Sequence, residues 1–177
     1  MRNIILPNIN ESTIAVIGLG YVGLPLAVEF AKLKTDEKRS KFRKVIGFDT
    51  NIKRINELKS GVDVTNEISR DELSKAMGLE LSAEAQAIDD ADIFLITVPT
   101  PITEEKNPNL IPIIKATKTV ANSLISRKKR CKPIIIYEST VYPGTTEEIC
   151  VPILEDFSGL IFNQDFFCGY SPERINP

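Results

Sequence analysis

Histidine and tryptophan are absent from the 177 residues, and cysteine occurs only three times. The first absence removes imidazole as a general base, proton shuttle or metal ligand. The cysteines, at 131, 150 and 168, are odd in number and widely spaced, which supports neither a zinc site nor a disulfide framework. Cys150 and Cys168 fall in apolar stretches and read as small buried thiols rather than nucleophiles. Net charge is also scarce: a formal −2 gives no bulk attraction for nucleic acid or an anionic membrane. No apolar run reaches the roughly eighteen residues of a membrane span, and the amino-terminal MRNIILPNINES has too short an apolar core for a signal peptide. These absences predict a cytoplasmic protein with no nucleic-acid or membrane partner.

What is present is an ordinary globular composition, 42% hydrophobic and 26% charged with both signs interspersed. The length suits one domain, residues 1–177, with a sizeable core. The densest charge cluster, Lys34 to Lys44, is expected to be a solvated loop.

Short apolar runs rich in β-branched residues alternate with stretches of helical period. They predict strands at Thr13 to Gly18, Lys44 to Asp49, Ile93 to Val98, Pro133 to Glu138 and Phe166 to Tyr170, with a weaker one at Leu79 to Leu81. The predicted helices run from about Tyr21 to Lys34, Ile52 to Ser60, Leu110 to Arg127 and Thr145 to Phe157, with a short one at Asp71 to Met77. Pro25 places the start of the first helix near Tyr21 or Val22. Thr145 and Glu148 suggest a capping box, and Pro152 a kink or shortening of the last helix. Strand and helix alternation with near-continuous apolar strands predicts a Rossmann-type doubly wound α/β fold, a parallel sheet with helices on both faces.

The first strand runs straight into GLGYVG, with glycines at 18, 20 and 23. In such a strand-to-helix turn the first glycine allows a tight bend, the second lets a pyrophosphate approach the backbone, and the third lets helix and strand pack closely. The diphosphate of a dinucleotide would then rest on Tyr21 and Val22 at the helix N-terminus, where free N–H groups and the dipole favour an anion. Asp49, at the tip of the second strand, has two readings: acceptor for the adenosine ribose, or cap for the helix after it, a role open also to Thr50 and Asn51. It lies farther from Gly23 than the usual spacing of about 20 residues, and the charged Lys34 to Lys44 segment accounts for the excess. A carboxylate there repels a 2′-phosphate, so the cofactor expected is NAD; Arg54, one helical turn on, is the residue that speaks for NADP. TVPTP (Thr97 to Pro101), ESTVYPGTT (Glu138 to Thr146) and GYSPERINP (Gly169 to Pro177) close later strands. All of them fall on the sheet edge where ligands bind, which makes Val98, Pro99, Thr100, Ser139 and Thr140 candidates for the cofactor cleft.

Together, GLGYVGLPLA, GFDTN, TVPTP, ESTVYPGTTEE and YSPERINP resemble the nucleotide-sugar dehydrogenases that oxidise UDP-sugars or GDP-mannose at C6 to uronic acids. The match runs in order from about Thr13 to Pro177, and its SPERINP most resembles the branch acting on UDP-N-acetylhexosamines. The resemblance implies a four-electron oxidation with two NAD, through a cysteine-bound thiohemiacetal and a thioester, in the supply of surface polysaccharide precursors. It also implies a UDP-sugar partner and a homodimer or higher oligomer for the longer protein. The family's nucleophilic cysteine belongs to a later glycine-rich motif that does not occur in this sequence, so the chain resembles the amino-terminal NAD-binding part alone, inactive by itself. Thr140 resembles a threonine that holds a water near the reacting carbon, and Glu173 a base for thioester hydrolysis, a role a buried carboxylate suits. Glu173, Arg174, Ile175 and Asn176 would contact substrate; Glu173 could instead pair with Arg174. Pro177 stands where UDP-glucose enzymes carry a carboxylate, which argues against that substrate. Two rival readings are a nucleotide-sensing Rossmann module without chemistry and a β-hydroxyacid-type dehydrogenase lacking SPERINP.

Overall fold

The computed structural model describes residues 4–32, 44–103, 107–128 and 131–171. Six strands form one sheet: β1 (Thr13–Ile17), β2 (Lys44–Phe48), β3 (Leu79–Ser82), β4 (Ile93–Ile96), β5 (Ile134–Tyr137) and β6 (Phe167–Tyr170). Every neighbouring pair is parallel, and the order is β3-β2-β1-β4-β5-β6. The chain winds outward from β1 to one side, then returns to wind outward from β4 on the other. The topological switch point therefore lies between β1 and β4, the crevice where open α/β sheets bind ligands. This is the Rossmann-type sheet expected, and the weaker strand at Leu79 is real.

Side chains alternate along each strand and feed two separate cores. Ile14, Val16, Val45 and Leu95 pack under α1 (Gly23–Lys32) and α2 (Ile52–Lys59), with Leu24, Val28, Ile55 and Leu58 from the helices. Ala15, Ile17, Phe94 and Ile96 point the other way, toward Ile113, Val120 and Leu124 of α4 (Ile111–Ser126) and Leu154 of α5 (Val151–Ser158). Each such fully buried aliphatic or aromatic side chain contributes roughly 1.5–3 kcal/mol. Covering both faces explains why all of β1 is buried and why its sequence is apolar without a break.

Two local expectations need correction. The first helix is regular from Gly23, a residue or two beyond Tyr21 or Val22, although the Leu24 N–H already donates to the Gly20 carbonyl at 3.1 Å. The capping box at Thr145 and Glu148 does not form. Thr145 already has helical backbone angles, its hydroxyl donates back to the Tyr142 carbonyl at 2.7 Å, and the Glu148 N–H donates to Gly144. A capping box does occur at Ser69 and Glu72, at the start of α3 (Arg70–Lys75), where an S-x-x-E pattern stood unread. Before Pro152 the turn widens to a π-helix over Thr146–Cys150, the Val151 N–H reaching five residues back to Thr146, and the regular α-helix is confined to Val151–Ser158 with the proline in its first turn. The Lys34 to Lys44 loop, apart from Lys44 itself, lies outside the described residues.

At the edge opposite the crevice, Asp92 and Arg127 form a pair with side chains only 4% exposed, Nη2 to Oδ1 at 2.6 Å. Asp92 also accepts from the Thr13 N–H at 2.8 Å, and Arg127 donates from Nε to the Ala91 carbonyl at 2.9 Å and from Nη1 to the Cys131 carbonyl. The pair thereby joins the start of β1 to the end of α4. Removing one charge from a buried pair is costly because the other is stranded. Asp92→Asn is expected to lower the unfolding free energy by about 3 kcal/mol in urea titration, without altering affinity at the distant crevice. A loss under about 1 kcal/mol would show the pair to be unimportant.

Candidate functional site

The turn after β1 is built by three glycines doing different things. Gly18 sits at φ +95°, a region side chains rarely enter, and its N–H donates to the Phe48 carbonyl at 2.8 Å. Gly23 is required by contact: a Cβ there would lie 1.9 Å from the Gly18 carbonyl oxygen and 2.3 Å from Thr97 Oγ1. The Thr97 hydroxyl closes the turn from β4, lying 2.7 Å from the Gly18 oxygen and 3.0 Å from that of Ile17. Gly20 differs. A Cβ added to it meets nothing within 4 Å, so no contact inside the described protein calls for glycine at this position. The bare backbone faces an open cleft beside the first N–H groups of α1, which have no intrahelical partners. That combination fits a pyrophosphate lying against the chain.

Asp49 directs its carboxylate into the same turn. Its Oδ2 accepts from the Leu19 N–H at 2.9 Å and its Oδ1 from the Asn51 N–H at 2.8 Å. The cap of α2 is Asn51, whose side-chain oxygen accepts from the Lys53 and Arg54 N–H groups. The cap reading of Asp49 is thereby set aside. Each carboxylate oxygen retains acceptor capacity, and Asp49 is only half-buried, which suits a pair of ribose hydroxyls and repels a phosphate.

Arg54 is not the free cation the sequence allowed for. It is 7% exposed. Its Nε donates to the Leu19 carbonyl at 2.9 Å, its Nη2 to the Thr65 hydroxyl at 3.3 Å, and its Nη1 lies 2.7 Å from Asp63 Oδ1. The Leu19 peptide is thus held on both sides, by Asp49 at the N–H and Arg54 at the C=O. Burial of Asp63 works to raise its pKa, but the Thr65 hydroxyl, the Ile68 N–H, Arg54 and the Thr65 N–H together outweigh this and bring it down to about 2.

A cleft of about 500 Å³ opens at the switch point, lined by Gly18, Gly20, Asp49 and Arg54 on one side and by Val98 and Pro99 after β4 on the other. Its third wall is one stripe of α4, Ile111, Lys115 and Thr119, which went unremarked in the sequence. The available signal was spacing: the three recur every fourth residue on the helix that follows the switch-point strand, and Ile111 is exposed despite being apolar. A smaller recess beside it is lined by Tyr21, Val22, Thr100, Ser139 and Thr140, so the loops after β4 and β5 meet as expected. They are tied: the Ser139 hydroxyl donates to the Val98 carbonyl at 2.7 Å and the Thr100 hydroxyl to the Thr140 carbonyl at 2.5 Å. Tyr170 at the end of β6 joins them, its hydroxyl donating to the Val141 carbonyl at 3.1 Å. Glu173, Arg174, Ile175 and Asn176 lie outside the described residues. Cys150 and Cys168 are not poised thiolates: burial, then the charges of Cys150 and Glu147, pushes the Cys168 thiol up to about 12, and burial raises Cys150 too. Among the described residues no cluster of potential metal ligands occurs, and no helix is long and apolar enough to cross a membrane.

A 3-2-1-4-5-6 parallel sheet with a glycine turn, an acidic second-strand tip and a cleft at the switch point defines a dinucleotide-binding module of the Rossmann class. Comparison with known proteins makes the assignment narrower. Residues 12–177 match the model of the UDP-glucose/GDP-mannose dehydrogenase family, NAD binding domain, and the chain belongs to that family. It is 54% identical over 169 residues to a UDP-N-acetyl-D-glucosamine 6-dehydrogenase of Salmonella typhi, an alignment covering 96% of this chain and 36% of that protein. A Pseudomonas aeruginosa enzyme of the same description is 54% identical over 93% of the chain and 36% of its own length. Among solved structures, a UDP-D-ManNAc dehydrogenase from Pyrococcus horikoshii superposes with a TM-score of 0.77 at 33% identity, over 93% of this chain and 37% of that one. The chain therefore spans little more than a third of these relatives. Family membership does not favour the reading of a sensing module without chemistry.

The glycines give a two-sided expectation. Gly23→Ala, with its Cβ driven into the Gly18 carbonyl, should lower the melting temperature by several degrees, whereas Gly20→Ala should leave it within about one degree; equal losses in thermal melts would refute the division of labour. Asp63 sets a pH dependence. Its folded pKa of about 2 lies below the ordinary 3.8, so its contribution is present in full above pH 4 and fades as pH falls toward 2. A gap of about 2 kcal/mol between the native protein and Asp63→Asn at neutral pH should close over that window. Urea midpoints measured from pH 5 to 2 that stay parallel would contradict this.

Proposed function

We propose that the protein is an NAD-dependent 6-dehydrogenase of a UDP-N-acetylhexosamine, with this chain as its cofactor domain. The observation that carries the cofactor half is Gly20, an unfilled position between two glycines whose lack of a side chain the fold itself explains, set beside the Asp49 carboxylate. The substrate half rests on relatives at 54% identity whose description is UDP-N-acetyl-D-glucosamine 6-dehydrogenase.

In this reading the backbone of Gly20, Tyr21, Val22 and Gly23 at the start of α1 receives the diphosphate, and Gly18 shapes the turn. Asp49 takes the adenosine ribose. The α4 stripe of Ile111 and Thr119 supplies an apolar and a polar edge against the adenine. Bound NAD supplies a hydride acceptor. Val98, Pro99, Thr100 and Ser139 frame the nicotinamide end, where their mutual hydrogen bonds hold the two loops at fixed separation and keep water out. Thr140, exposed in the same recess, holds a water near the nicotinamide and the reacting carbon. Glu173 acts as the base for thioester hydrolysis, with Arg174, Ile175 and Asn176 contacting substrate. Supply of surface polysaccharide precursors, a cytoplasmic location and assembly as a homodimer or higher belong to the same proposal.

Calorimetric titration is expected to show saturable binding of NAD and much weaker binding of NADP, with Asp49→Ala weakening NAD by roughly tenfold and narrowing the difference. The full-length protein should then release two NADH for each UDP-N-acetylglucosamine, read by absorbance at 340 nm, and fewer or none with UDP-glucose. Equal affinity for both cofactors would end the argument from Asp49, and turnover of UDP-glucose in preference would end the substrate assignment.

A further inference from the structure

Three consecutive carbonyls in the loop after β5 are held by hydroxyls from three different parts of the chain. The Thr140 carbonyl accepts from the Thr100 hydroxyl at 2.5 Å, that of Val141 from the Tyr170 hydroxyl at 3.1 Å, and that of Tyr142 from the Thr145 hydroxyl at 2.7 Å. Thr100 belongs to the loop after β4 and Thr145 to the same turn as its acceptor, whereas Tyr170 reaches over from the end of β6. Its backbone is fixed there: Tyr170 stands opposite Tyr137 in the parallel register, and the Ser171 N–H just beyond it donates to the Tyr137 carbonyl at 3.0 Å. The residue is 40% exposed, and a hydroxyl with water as an alternative partner adds little to stability by bonding to a carbonyl instead. The value of this bond therefore lies in what it places. Thr140 is exposed, and its own hydroxyl meets no partner among the described residues. Its direction is set through the backbone, by the peptide planes around its Cα.

We propose that Tyr170 is a positioning residue for the reaction: by holding the Val141 carbonyl it fixes the backbone that follows Thr140, and so keeps the Thr140 hydroxyl at its place in the recess it shares with Tyr21, Val22 and Thr100. This rests on the reading of Thr140 as the residue that holds a water beside the nicotinamide and the reacting carbon. Thr100 holds the first peptide plane after the Thr140 Cα and Tyr170 the second. β4 and β6 flank β5 on opposite sides, so the two hydroxyls draw the loop both ways and a shift toward either strand is opposed. Without Tyr170 only the pull toward β4 remains. The loop still folds, because Val141 packs against the core and the Ser139 hydroxyl still reaches Val98, but the position of Thr140 loosens. Small displacements of a group that orients a reacting water are costly in rate. The bond places Thr140 rather than gripping a substrate, so its loss falls on turnover and leaves binding as it was.

The test is steady-state kinetics of the full-length protein with NAD and UDP-N-acetylglucosamine, comparing the native protein, Tyr170→Phe, Thr140→Ala and the double variant, each checked for folding by thermal melt. Tyr170→Phe removes one oxygen from an exposed ring and is expected to melt within about one degree of the native protein. It should lower kcat by about tenfold while KM for either substrate stays within about twofold. In the Thr140→Ala background the same change should cost nothing further, since the hydroxyl it positions is gone. Losses that multiply in the double variant would overturn the proposal, because Tyr170 would then act by another route. A raised KM for the UDP-sugar at unchanged kcat would make the ring a substrate contact and overturn it as well, as would kinetics identical to the native protein's. A native protein that binds NAD yet leaves the sugar unoxidised would instead sink the functional reading, and the proposal with it.

Discussion

The crevice depends on one steric constraint, the contact of the Gly23 backbone with the carbonyl of Gly18. A hypothetical Cβ at 1.9 Å shows how little room lies between α1 and the turn beneath it. Because α1 comes this close, its N-terminus sits directly over the end of β1, and the residue between, Gly20, is left facing outward. Thr97 then closes the arrangement from β4 by reaching the same carbonyl. The turn is therefore a junction of β1, α1 and β4, and the switch point between β1 and β4 becomes a cleft with a positively polarised floor rather than a plain gap in the helix cover.

A second tier of contacts converts that junction into a rigid receptor. Leu19 has no side-chain chemistry, yet both polar atoms of its backbone are engaged by charged side chains, Asp49 at the N–H and Arg54 at the C=O. A charge-assisted hydrogen bond on each side is roughly twice as strong as a neutral one, and the two oppose each other across one residue. The loop is placed before any ligand arrives, so ligand binding does not have to order it. The opposite edge of the sheet uses the same device for a different end: Asp92 and Arg127 tie β1 to the exit of α4 through a buried pair, far from any cleft. One pair secures the strand bundle and the other the ligand turn, which separates the stability of the domain from the geometry of its site.

Much of this was legible in the sequence because the strands are short, apolar on both faces and punctuated by glycine, proline or aspartate. All six strands lie within two residues of where periodicity puts them. The glycine turn was legible for the same reason, as steric demands select glycine and leave a pattern. Asp49 was only half legible: carboxylate and amide both cap helices, and nothing in GFDTN says that Asn51 takes the cap and frees Asp49 for the turn. The role of Arg54 was hidden altogether, since Asp63 and Thr65 that hold it belong to a loop between helices whose closure onto α2 has no periodic signature. The α4 wall was missed for a related reason. Ile111, Lys115 and Thr119 face the cleft because of how the sheet is wound, and a mixed apolar, basic and hydroxyl stripe looks locally like an ordinary helix margin.

The capping box that failed and the one that was overlooked show how local patterns are decided by what lies around them. Thr145 and Glu148 have the right spacing, but the ESTVYPG turn is already committed to pairing with the loop after β4 through Ser139 and Thr140. By Thr145 the backbone is already helical, its N–H and its hydroxyl both turned back to the Tyr142 carbonyl, so a cap with extended backbone does not form. Ser69 has no such commitment: it follows an irregular loop, its backbone is extended, and the reciprocal bonds with Glu72 form unopposed. The difference has a functional consequence. Near the crevice, hydroxyls are spent on fixing loop to loop, which holds the recess around Thr140 in shape, and the helix there starts without a cap and passes through a π turn before Pro152. Away from the crevice, local rules prevail. A departure from a local rule beside the cleft is in this domain a mark of tertiary contacts holding a surface for a ligand, and it points to the same edge of the sheet that the glycine turn does.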